Sequence, residues 1–140
     1  MELSNPINNQ HMIEGLNTVL LASFQARQHC ASLLKKSSDM NVRRVVSELE
    51  KAHINHIEVL GDAVRYLGGS PHKDSISSAP RKLRTMFFPF RFLRREEEQL
   101  IELCDKQIKY LTGSSEAADK LNLVKDDITA CLYMTTGAKA

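Results

Sequence analysis

The stretch Val45-Val46-Ser47-Glu48-Leu49-Glu50-Lys51-Ala52-His53-Ile54-Asn55-His56-Ile57-Glu58-Val59-Leu60-Gly61-Asp62-Ala63-Val64 decides the architecture of this chain. Positions 46, 49, 53, 56, 60 and 64 recur at three- and four-residue spacing, which puts them on one face of an α-helix. Val46, Leu49, Leu60 and Val64 make that face apolar, and His53 and His56 interrupt it. A histidine on a core-facing stripe must be hydrogen-bonded or metal-bound, because an unsatisfied buried donor or acceptor costs about 1–3 kcal/mol. The stretch therefore predicts a core helix that carries a polar site, and it raises the question of a metal.

Working outward, Ser37-Ser38-Asp39 turns the chain and caps this helix, which runs over about 40–67. Gly68-Gly69-Ser70-Pro71 ends it. A first helix over about 6–36 starts with Pro6 at its first position behind Asn5. Its stripe carries Ile13, Leu16, Val19, Leu20, Phe24, Cys30 and Leu34. At 1.5 Å per residue each of these helices is roughly 40 Å long, and their short connection predicts an antiparallel hairpin. A third helix over about 91–111 carries Leu93, Glu97, Leu100, Ile101, Cys104 and Ile108. A fourth over about 116–134 carries Ala118, Leu121, Val124, Ile128, Cys131 and Leu132. Residues 68–90 form a crossover that is polar from His72 to Ser78, with a short helix opening at Pro80 and a breaker at Pro89. No alternating run argues for a strand. The expectation is an all-α, antiparallel four-helix bundle, one domain over 1–140, with a long crossover between two helical hairpins.

Composition agrees with that class. With 42% apolar residues and only 6 Gly and 4 Pro in 140, the chain has enough material for a packed core. No apolar run approaches a membrane span, and the N-terminus lacks a basic-then-apolar signal pattern, so a cytoplasmic protein is expected. Cys30, Cys104 and Cys131 are odd in number and far apart, which predicts buried free thiols rather than a disulfide framework or a Cys-x-x-Cys metal motif. The net charge of +2 is unevenly spread, with Lys73, Arg81, Lys82, Arg84, Arg91, Arg94 and Arg95 set against Asp74 and then followed by Glu96, Glu97 and Glu98. That bipolar stretch does not make a nucleic-acid binder. Neither a nucleophile–base triad nor a glycine-rich phosphate loop supports a hydrolase or a nucleotide enzyme.

Ile13-Glu14-Gly15-Leu16-Asn17-Thr18-Val19-Leu20, His56-Ile57-Glu58-Val59-Leu60 and Tyr66-Leu67-Gly68-Gly69-Ser70-Pro71 resemble the bacterioferritin-like branch of the ferritin-like superfamily, over about 70 residues. The second half is similar mainly in helix order. The resemblance implies a ferritin-like bundle in which two helices each give a glutamate and two give a Glu-x-x-His. Such a centre holds two irons and oxidises ferrous ion. Carried onto this chain, the first glutamate falls on Ser23 and the second-helix motif on His53-Ile54-Asn55-His56. The third glutamate falls on Glu97, and the last motif on Asp127-Ile128-Thr129-Ala130. The implied ligand set His53, His56, Glu97 and Asp127 suits one Zn²⁺, Fe²⁺ or Mn²⁺ by ligand type better than a carboxylate-bridged iron pair. Shifted by one turn, Glu50-Lys51-Ala52-His53 becomes the motif, with Glu50 a ligand and His56 behind it. Both registers stay open.

The methionine that ligates haem in bacterioferritins falls on Ile54, so no haem is expected. An enzymatic role would be ferroxidase-like or that of another non-haem iron oxidoreductase, and the expected function is metal binding rather than bulk storage. The alternative is a metal-free scaffold in which His53 and His56 bond Glu97, Asp127 or Ser23. Glu14, Gln25, Gln28 and His29 could replace the missing first-helix glutamate, but their positions relative to the stripe favour exposed or boundary roles. His11 and His72 read as surface residues.

Four of the five phenylalanines lie in Phe87-Phe88-Pro89-Phe90-Arg91-Phe92. With Arg91, Arg94 and Arg95 beside them they can cover an open end of the bundle, anchor a protein partner through Phe87, Phe88 and Phe92, or touch an anionic membrane. The resemblance also implies a homodimer built on the first two helices.

Overall fold

The computed structural model describes residues 6–73, 89–110 and 115–138. They form four helices: α1 (Pro6–Lys36), α2 (Met40–Tyr66), α3 (Pro89–Tyr110) and α4 (Ser115–Ala138). No strand occurs among the described residues, and no helix there is long and apolar enough to cross a membrane. The expected short helix at Pro80, together with Phe87 and Phe88, lies outside the described residues.

The hairpin turn is built from side chains that satisfy helix ends. Asp39 Oδ1 accepts from the backbone N–H groups of Asn41 at 2.9 Å and Val42 at 3.3 Å, which caps α2. From the first turn of α2, Arg43 Nη1 reaches back and donates to the carbonyls of Leu34 and, at 3.0 Å, Ser37. It thus places a cation on the electronegative end of α1. At the other end of α2, Gly68 takes φ +88°. Its N–H bonds Arg65 O at 2.9 Å while Gly69 N–H bonds Val64 O at 3.0 Å, the paired pattern of a Schellman stop. Pro89 opens α3, where its missing N–H would have had no intrahelical partner.

Asn17 then fixes the outgoing chain to α1. Its Nδ2 donates to Ser70 O at 3.1 Å and its Oδ1 accepts from His72 N–H at 2.8 Å. Gly69 lies so close to Ile13 that an added Cβ would come within 2.8–3.0 Å of three of its atoms. The chain leaving α2 therefore sits at the start of α1. Leu93, near the start of α3, packs instead with Cys30, Leu33 and Val45 at the opposite end. α2 therefore ends and α3 begins at opposite ends of the bundle, as in a crossover topology.

Long-range pairs fix the order around the bundle as α1, α2, α4, α3. Leu16 of α1, Leu60 of α2, Leu100 of α3 and Leu121 of α4 share one cluster, and Cys30, Val45, Leu93 and Cys131 the other, so neighbouring helices are antiparallel. The core has two parts. Leu16, Leu20, Leu60, Leu100, Leu121 and Val124 belong to the larger cluster. Leu33, Val45, Val46, Leu49 and Leu93 belong to the smaller one at the α1–α2 turn. Each fully buried leucine contributes about 1.5–3 kcal/mol of transfer free energy. On α4, Ala117 is buried where the spacing had pointed to Ala118, which is half-buried.

Candidate metal centre

Polar side chains are buried within this core. His53, His56, Glu97 and Ser23 are fully buried, and Asn17 and His29 nearly so. Of the three consecutive glutamates in the first half of α3, only Glu97 falls on the stripe of Leu93, Leu100 and Cys104. Helical phase alone thus carries one carboxylate inward.

The inward carboxylate meets α2. His53 Nε2 and Glu97 Oε2 are 2.7 Å apart, a charge-assisted hydrogen-bond length, with both side chains wholly out of water. Cys30 of α1 completes a cluster: one donor atom each from Cys30, His53 and Glu97 lies within 4.8 Å of the others. Cys30 had been expected as a structural thiol. It is buried and free, but it stands in this cluster. Burial first, and then the charges of Glu97, Glu96 and Glu50, push its thiol well above the ordinary range. It is a thiol in the absence of a cation, and a divalent ion at this spot would displace the proton.

His56 pairs separately. Its Nε2 lies 2.9 Å from Asp127 Oδ2, and the Asp127 side chain is 45% exposed. The two histidine rings meet edge-on at 6.0 Å. Burial lowers the His56 pKa, and the hydrogen bond to Asp127 opposes that shift. The implied ligands thus divide into two pairs, His53–Glu97 and His56–Asp127, and Cys30 joins the first. Glu50 is half-buried one turn before His53, outside the three-donor cluster.

Several polar atoms around these pairs have no hydrogen-bond partner among the described residues: Nδ1 of His53, Nδ1 of His56, Oε1 of Glu97, Oε1 of Glu96 and Ser23 Oγ. Unpaired buried groups of this kind are rare because each loses its full hydration free energy. His53 and Glu97 belong to the cluster itself, so two of its residues keep an unpartnered buried polar atom. Ser23 supplies a hydroxyl where the resemblance put a bridging carboxylate.

His29 corrects the boundary role expected of it. It is buried, its Nδ1 lies 2.7 Å from Glu96 Oε2, and its ring meets Phe92 edge-on at 5.4 Å. Phe92, half-buried, therefore packs on the bundle. Glu14 and Gln25 are exposed and Gln28 half-buried, while His11 and His72 are exposed as expected. Position on the apolar stripe was the signal for Cys30, but nothing local linked it to His53. Comparison of the chain with protein-family models, curated proteins and solved structures finds no match. The fold and site define an all-α four-helix bundle with a buried Cys/His/Glu cluster suited to a metal ion.

Proposed function

We propose that this protein binds one divalent transition-metal ion in its core, through Cys30, His53 and Glu97. The observation that carries this reading is the cluster itself: three ligand types from three helices, all buried, with donor atoms within 4.8 Å. The free Oε1 of Glu97 supports it, because a cation would satisfy a buried oxygen that otherwise costs stability.

The donor set favours Zn²⁺, then Fe²⁺. A thiolate with an imidazole suits a borderline-soft ion, whereas Mn²⁺ prefers oxygen ligands. The helix order and the residues around Asn17 and Gly68 support descent from a ferritin-like bundle. In this reading Cys30, two turns along α1 from Ser23 at the position of the lost carboxylate, joins His53 and Glu97, and one ion replaces the iron pair. Ferroxidase chemistry and bulk storage draw no support from such a set.

Metal content by mass spectrometry on untagged protein, purified without chelator, tests the reading beside Cys30→Ser and His53→Ala. One ion per chain in the parent, lost in both variants, is the expected result. Substoichiometric metal in the parent, even after anaerobic loading with Zn²⁺ or Fe²⁺, would leave a metal-free scaffold.

A further inference from the structure

Three donors leave a tetrahedral ion one ligand short. Among the four helices, α4 gives nothing to the cluster, yet the register of the bundle identifies which of its residues stands beside it. α2 and α4 are antiparallel, with His56 opposite Asp127 at 2.9 Å. One turn back along α2 is His53, and the matching turn forward along α4 reaches positions 130 and 131. Ala130 is exposed, whereas Cys131 continues the inward series Leu121, Val124, Ile128 and is half-buried. Cys131 packs against the smaller apolar cluster, the one that contains Cys30, Leu49 and Leu93. Burial, then the charges of Glu97, Glu48 and Asp127, push its thiol up to about 11. The unpartnered, fully buried Oε1 of Glu97 is an independent sign that a ligand belongs in this layer.

We propose that Cys131 is the fourth ligand, so that each helix gives one donor (Cys30, His53, Glu97 and Cys131) to a closed four-coordinate Zn²⁺ site. The inference rests on the metal-binding reading above and decides what the ion does. Cys131 stands outside the 4.8 Å grouping of the other three, so a four-donor site requires its unbranched side chain to turn about χ1 toward them on binding. On binding, both thiols give their protons to solvent as two Zn–S bonds form, and no atom changes oxidation state. A site closed by four side chains has no position for a substrate. The ion then clamps four helices together and is structural rather than catalytic.

Zinc-edge X-ray absorption on the full chain loaded with one equivalent of Zn²⁺ reads the sulfur count directly. The parent should show two sulfur neighbours at about 2.3 Å, with nitrogen or oxygen filling the rest at about 2.0–2.2 Å. Cys131→Ser should show one sulfur and bind Zn²⁺ at least roughly 10–100-fold more weakly, the loss that even an outer-shell partner causes. One sulfur in the parent, with Cys131→Ser unchanged in spectrum and affinity, would overturn the four-helix clamp and leave the three-donor site standing. A parent that takes up no Zn²⁺ would remove both. The parent spectrum decides the matter even if the variant folds poorly.

Discussion

At the scale of single residues, the His53–Glu97 pair is the most exposed to test because both side chains are fully buried. Removing one member strands the other. In protein held metal-free by chelator, Glu97→Met or His53→Leu should each lower unfolding free energy by about 1–3 kcal/mol in urea. The double variant His53→Leu/Glu97→Met should lose less than the sum, because no polar group is then left unpaired. Strict additivity in that cycle would mean the two side chains do not interact. His56 gives a pH signature in the same metal-free protein. Burial holds its folded pKa below the ordinary 6.5, with nearby His53 acting in the same direction and Asp127 opposing. The unfolded chain therefore takes up the proton first as pH falls. Its contribution is full above about pH 6.5 and is lost as pH drops toward the folded value. His56→Gln should flatten the urea midpoint against pH between about 5 and 7 relative to the parent. Parallel curves would show that another group sets the slope.

At the scale of elements, helix ends are where local sequence acts most directly. Asp39→Ala removes the acceptor that holds the N–H groups of Asn41 and Val42, and should cost about 1 kcal/mol. The two glycines after α2 differ in mechanism. A Cβ on Gly68 would touch nothing within 4 Å, so Gly68→Ala carries only the left-handed backbone penalty, about 1–2 kcal/mol. Gly69→Ala would drive a methyl group against Ile13 and must move α1 or the exit from α2. Shortening Ile13 to Ala should therefore rescue Gly69→Ala in part and leave Gly68→Ala unrescued, as read by thermal unfolding of the four variants. Equal rescue of both would refute the steric account.

At the scale of the whole molecule, the polar residues lie inside a core of two apolar clusters. Because those clusters pack without any ion, the metal-free protein should stay helical and folded but less stable. A ligand present at 100 times its dissociation constant adds about 2.7 kcal/mol to the folded state. For a chain of this size that is a rise of roughly 5–15 °C in unfolding temperature, visible by calorimetry with Zn²⁺ against chelator. An unchanged transition would deny the ion any part in holding the helices.

The same scales separate what was legible in the sequence from what was not. The four long helices, the antiparallel hairpins, the stop at Gly68-Gly69 and the inward aim of His53, His56 and Glu97 were all legible. Each follows from 3.6-residue periodicity or a capping pattern, which act within a few residues. Even Glu97 could be told from Glu96 and Glu98 by phase. Which inward donors meet could not be read. Cys30 lies 23 residues before His53 and 67 before Glu97 in sequence, and only the tilt and axial stagger of packed helices bring it to them. Periodicity gives a residue's face but not its height against another helix. That height comes from side chains interlocking across the core, so tertiary structure alone paired His53 with Glu97, gave His56 to Asp127, and turned Cys30 from packing into a candidate ligand.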